Sequence, residues 1–158
     1  MTVKRLQKSR IFATEHEHAY DVVLVAPLTD IFRRRYLAIA PIAEVSGQDG
    51  VWGQSVGQRR AIRLSDGATM IETLTAIDAP NRFRYAIGDL TGPLQSLVSR
   101  VEGTWAFEPS AAGTTITWSW DVTPKGTVGR MVMPVFGRMW SGYANRAMDQ
   151  IQLLLVAQ

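Results

Sequence analysis

Thr127–Val156, TVGRMVMPVFGRMWSGYANRAMDQIQLLLV, is the stretch on which the fold turns. Val128, Val132, Phe136, Met139, Tyr143, Ala147, Ile151 and Leu154 recur at helical spacing, and Met131 and Val135 widen the stripe near its start. An apolar stripe of this period has to be buried against something. The chain before it reads mostly as β-strands, so the expected architecture is α+β: a curved antiparallel sheet of six to seven strands holding one long C-terminal helix. Two features are unusual inside a helix. Gly137 and Gly142 each cost about 1 kcal/mol relative to alanine, and Pro134 should start or kink the helix. With Met131, Met133 and Met139 nearby, either the wall yields to a guest or the glycines allow close packing and the methionines fill a core.

The strands that cover this helix are clearest immediately before it. In Val98–Phe107, Val101, Gly103, Trp105 and Phe107 share one face; in Thr114–Val122, Ile116, Trp118, Trp120 and Val122 do. The intervening residues are polar or small, as a sheet with one wet face requires. Further back, Phe83, Tyr85 and Ile87 mark one strand, and Met70, Glu72, Leu74 and Ala76 another. Val56, Arg60, Ile62 and Leu64 mark a third, read as Gln54–Leu64 and joined to its successor by the Asp66-Gly67 hairpin. Ile42–Val45 is a brief strand and Leu28–Tyr36 a short helix, the first of two short helical segments before Pro41. Glu17–Val25 alternates as a first strand ended by Pro27. Residues 1–14 read as an N-terminal arm ahead of a single domain, 15–158.

Composition narrows the function classes. A chain of 158 residues supports one domain with a sizeable core. No apolar run approaches the roughly 18 residues a membrane span needs, and Met1–Arg10 lacks the apolar region of a signal peptide. Cysteine is absent, which removes disulfides, thiol catalysis and cysteine-bound metals; a cytoplasmic location is the default expectation. A charge of +3, from 17 basic and 14 acidic residues, is a mild excess. Arg33-Arg34-Arg35 is the only basic run and has no interleaved aromatics, so no nucleic-acid partner is expected. His16 and His18 lack a third ligand, so no metal is expected, and nothing calls for a cofactor. The oligomeric state is left open, a homodimer included.

The order of elements and four local stretches resemble the helix-grip fold of the START/SRPBCC superfamily, which includes polyketide cyclase/dehydrase-like and lipid-transport proteins. The stretches are Val25-Ala26-Pro27, Val56-Gly57-Gln58-Arg59-Arg60, Glu72-Thr73-Leu74 leading to Asp78, and Gly113-Thr114-Thr115-Ile116-Thr117-Trp118. The likeness spans roughly residues 17–156. It implies a ligand cavity between sheet and helix, and a small hydrophobic ligand: aromatic, polyketide-like or acyl.

On this reading the ligand-binding candidates are Arg60, Ile62, Leu74, Trp105, Phe107, Trp118, Trp120, Met131, Val135 and Met139. Two of the inward groups do not belong among apolar neighbours. If Leu64 pairs with Met70, Arg60 falls diagonal to Glu72, within reach of an ion pair that either fixes register or anchors a ligand. The resemblance also admits a cyclase/dehydratase-like enzyme in which Glu72 is general acid/base and Tyr85 a donor to an enolate. A third option is a partner-binding module whose cavity is collapsed. Trp52, between glycines, is either a gate over the cavity or a cap on the sheet edge.

Overall fold

The computed structural model describes residues 2–157. Strand β1 (Lys4–Phe12) is followed by helices α1 (His16–Val25) and α2 (Leu28–Ile31). Strands β2 (Ile42–Ser46), β3 (Arg59–Leu64), β4 (Thr69–Asp78) and β5 (Arg82–Gly88) come next. A 3-10 turn at Pro93–Ser96 leads to β6 (Val98–Ser110), β7 (Gly113–Pro124) and the long helix α3 (Gly126–Ala157). All seven strands form one antiparallel sheet in the order β1-β7-β6-β5-β4-β3-β2. This is the helix-grip architecture expected from the sequence.

The N-terminal third corrects the sequence reading. Where an arm is expected over residues 1–14, β1 pairs with β7 from Lys4↔Val122 to Phe12↔Thr114; residue 1 of that arm and residue 158 of the domain lie outside the described residues. Only Leu6 and Phe12 of β1 are buried, and its Lys and Arg side chains line a sheet edge. Charges there discourage edge-to-edge pairing with other chains, and they also hide the strand from a search for apolar alternation. Arg5 grips Asp121 through two 2.8 Å hydrogen bonds, and Arg10 ties the strand to α3 through Asp149 at 2.8 Å and Asn145. The second correction is α1, expected as a strand. Its β-branched valines and its alternation favour β locally, but Ala19, Tyr20 and Val23 are buried together on one helical face. His16, on that helix, bonds the Phe107 carbonyl at 2.9 Å.

Helix α3 runs unbroken through the exposed Pro134. Its buried face is Gly129, Met133, Phe136, Trp140, Tyr143, Ala147 and Ile151, so the stripe enters about one residue later than its apolar periodicity suggests. Val128, Met131 and Val135 are on the solvent side. The helical glycines serve close packing: a side chain at Gly142 would occupy the Tyr36 ring, and one at Gly129 would meet the Leu97 carbonyl.

Strands β3 and β4 register through Ile62↔Met70 and Arg60↔Glu72. The connection is tighter than expected, with Gly67 at φ +93° closing it and Leu64 N–H bonded to the Ala68 carbonyl. A glycine in the left-handed region suits a three-residue hairpin loop. Strand β3 begins at Arg59 rather than Gln54, although Gly57 and Gln58 still exchange 2.8 Å backbone bonds with Leu74. The turn ahead of them folds around the Gln58 side chain. Its Oε1 accepts from the Gly53, Gln54 and Ser55 N–H groups, and its Nε2 donates to the Asp49 and Val51 carbonyls.

Candidate functional site: a cavity between sheet and helix

The concave faces of β3–β7 and the first turns after α1 meet α3 without filling the space between them. A cavity of about 190 Å³ remains. Its wall is mostly apolar and aromatic, with Ile62, Met70 and Ile87 from the sheet, Phe136, Met139, Trp140 and Tyr143 from α3, and Phe32 stacked on Tyr143 at 5.6 Å. The lining residues Ala38, Asp66, Thr91 and Pro93 are exposed and mark the end that meets solvent.

Strand alternation carries the aromatic side chains inward. Trp105 and Trp118 pair across β6 and β7 and stack at 5.5 Å between ring centroids. Trp118 also stacks on Trp140 of α3 at 4.6 Å and lies 4.9 Å from Phe32. Sheet and helix therefore touch through indoles on one side of the cavity and stand apart on the other.

Tyr85 supplies the most constrained polar atom. Its ring crosses the strand partner Gly103, where any Cβ would overlap it. A glycine inside a strand commonly marks such a close approach. Beyond Gly103, the Tyr85 hydroxyl oxygen accepts from Trp118 Nε1–H at 2.7 Å and from Trp120 Nε1–H at 3.0 Å. Burial pushes the phenol well above its ordinary pKa, with the nearby Glu72 charge adding to the effect and the two indole donors opposing it. The group is a neutral hydroxyl at physiological pH.

Arg60 and Glu72 stand directly opposite each other, with Arg60 Nη2 3.0 Å from Glu72 Oε2; the expected diagonal placement is corrected by the tighter hairpin. Both are buried, at 6% and 4% exposure, and both line the cavity. Trp52 caps the guanidinium 3.8 Å from its ring centroid and is itself buried, which answers the question of its role: it covers Arg60. Such a cation–π contact partly replaces lost hydration. Desolvation raises the Glu72 pKa, and Arg60 counters that rise without abolishing it.

Of the residues named from sequence, Arg60, Ile62, Glu72, Tyr85, Trp105, Trp118, Trp120 and Met139 line the cavity. Leu74 and Phe107 do not. Leu74 is packed in the core, and Phe107 sits 5.3 Å from Tyr20 of α1, because α1 covers that end of the sheet. Met131 and Val135 are 73% and 60% exposed and belong to no wall. Trp140, Phe32 and Tyr143 are additional lining residues that the helical stripe and the short-helix reading did not mark as site residues. No group of three or more metal-ligating side chains occurs among the described residues. No described helix is long and apolar enough to cross a membrane.

Solved structures share the fold at low sequence identity. The protein TTHA0849 from Thermus thermophilus superposes with a TM-score of 0.69 at 15% identity over 98% of both chains. Ara h 8.0201 gives 0.68 at 16% identity over 99% of this chain and 100% of that one. Major latex-like protein 151 from Panax ginseng gives 0.68 at 13% identity over 97% of both. No curated protein sequence matches the chain. The sequence itself matches the family model described as "Polyketide cyclase / dehydrase and lipid transport" over residues 18–155. By that match over most of its length, the chain belongs to the polyketide cyclase/dehydrase and lipid-transport family.

Proposed function

We propose that this protein binds one small, largely apolar molecule carrying a ring or a short acyl chain in the cavity between sheet and α3. The observation that carries the reading is an apolar cavity of about 190 Å³ with few polar groups in its wall, among them Tyr85, Trp140 and the Arg60–Glu72 pair, and an exposed wet end. Small-molecule sites have this character: an apolar lining with a few placed polar atoms. Volume bounds the ligand, since an apolar protein cavity of roughly 150 Å³ takes up benzene. A substituted single ring, a fused pair of rings or a short acyl chain is therefore favoured over a four-ring polyketide.

A cyclase/dehydratase-like reaction with Glu72 as general base is the second reading, supported by the raised Glu72 pKa and its place in the cavity wall. The ion pair favours binding over turnover. The guanidinium 3.0 Å away offsets part of the basicity that burial gives the carboxylate, and moving a proton onto it leaves that cation uncompensated.

Titration with 2-naphthol, followed by tryptophan fluorescence, tests the reading. The expected result is saturable one-site binding that is blocked by filling the cavity with Met139→Trp. Absence of saturation by any one- or two-ring probe up to millimolar concentration overturns it.

A further inference from the structure

We infer that the cavity selects ligands bearing a hydrogen-bond acceptor, such as a carbonyl oxygen, because its aromatic wall holds two donors, the Tyr85 hydroxyl and the Trp140 indole N–H, with no acceptor among the described residues. The inference rests on the cavity being a binding site, as proposed above, and adds the chemistry of what is bound.

The Tyr85 hydroxyl could in principle donate or accept. Trp118 and Trp120 decide which. Their two N–H groups, at 2.7 and 3.0 Å, both point at its oxygen, so its acceptor capacity is taken. Indole N–H is a donor only, and neither ring can turn to accept in exchange. What remains on Tyr85 is its single proton, and no described residue accepts it. Glu72 is near enough to disturb the phenol electrostatically, yet its hydrogen bond is to Arg60.

A second donor stands in the same wall. Trp140 is 2% exposed and lines the cavity, and its Nε1–H is buried with no partner among the described residues. Buried donors are nearly always satisfied, and leaving one unpaired is costly. The two groups are mechanically connected: Trp118 donates to Tyr85 through its nitrogen and stacks on Trp140 through its ring, 4.6 Å between centroids. An indole nitrogen and a phenol proton, both lacking acceptors beside one apolar space, suit a guest oxygen with lone pairs. A hydrocarbon satisfies neither, and a ligand whose only polar group is a donor leaves both unmet.

Trp118 and Trp120 are thus positioning residues, and Tyr85 and Trp140 are the contacts. The experiment compares acetophenone with ethylbenzene, nearly equal in size, by calorimetric titration of the wild type, Tyr85→Phe and Trp140→Phe. Tyr85→Phe keeps the ring and loses the donor; Trp140→Phe loses the donor and trims the indole to a phenyl, and ethylbenzene binding reports in each whether the cavity is intact. One hydrogen bond corresponds to about a three- to tenfold change in affinity. The acetophenone-to-ethylbenzene affinity ratio is expected to fall by that amount in at least one variant. If Tyr85→Phe does not fold because two indole donors are left unpaired, Trp140→Phe alone decides. Ethylbenzene binding throughout with the same ratio in every folded variant overturns donor selection and leaves the binding function standing. Failure of both compounds to bind a wild type that binds 2-naphthol overturns this inference alone; failure of all three overturns the binding function, and this inference with it.

Discussion

Tyr85 lies across Gly103, its partner on the neighbouring strand, and reaches over it to the two indoles of β7. Any side chain on Gly103 must push the phenol off those donors. Gly103→Ala is expected to destabilise the protein by about 1–3 kcal/mol, the usual cost of overpacking, and to weaken acetophenone binding more than ethylbenzene binding. Urea denaturation and paired titrations measure the two effects; equal weakening of both ligands would detach Gly103 from the polar contact.

Arg60 and Glu72 form a pair in which each member makes the other tolerable. Glu72→Ala leaves a buried guanidinium with only Trp52 and a long 3.5 Å contact to Gln48. The expected loss is about 3–5 kcal/mol, and the double replacement Arg60→Met, Glu72→Leu should recover most of it. Denaturant titration of Arg60→Met, Glu72→Leu and the double closes the cycle. A double variant as unstable as the singles would mean that the pair contributes more than mutual neutralisation.

The same carboxyl gives a pH signature. Burial raises the folded-state pKa of Glu72 above its ordinary value of 4.5, so between those two values the folded chain holds a proton that the unfolded chain has released. Stability from this group is full below about pH 4.5 and declines as pH rises through the folded pKa. The stability difference between wild type and Glu72→Gln should therefore shrink with rising pH and then level off. A difference that grows over the same range would reverse the direction of the shift.

Met139 projects into free volume from a half-buried helical position. Met139→Trp is expected to lower 2-naphthol affinity at least tenfold while melting temperature stays level or rises, since filling a void commonly adds about 0.5–2 kcal/mol. Met131→Ser and Val135→Ser, on the solvent side, should shift stability by no more than about 0.5 kcal/mol and leave affinity unchanged.

Much of this site is legible in the sequence because strand parity is robust. Alternation places Tyr85, Trp105, Trp118, Glu72 and Arg60 on the concave face, and the Asp66-Gly67 hairpin brings the last two together, with a register error of two residues. Contacts that depend on ring orientation are not legible. Nothing in residue spacing says that two tryptophans will donate to one phenol, although Gly103 between Val101 and Trp105 is the available signal that a neighbour crosses that point. The N-terminal errors have a different origin. Strand β1 has basic residues along a solvent edge, and α1 is rich in valines that prefer sheet. In the first, backbone pairing with β7 outweighs local preference, and in the second the burial of one helical face does. Trp140 is missed because apolar residues occur on both sides of α3 near its start, which blurs the phase of the stripe.

The pairing of β1 with β7 joins the first strand of the chain to the last. The sheet cannot be completed until β7 is available to β1, and such long-range closure slows folding. A chain lacking β1 would leave one backbone edge of β7 unpaired, a ready template for another strand. Strand β1 thus covers an edge that β7 would otherwise present, and turns a charged edge of its own to solvent.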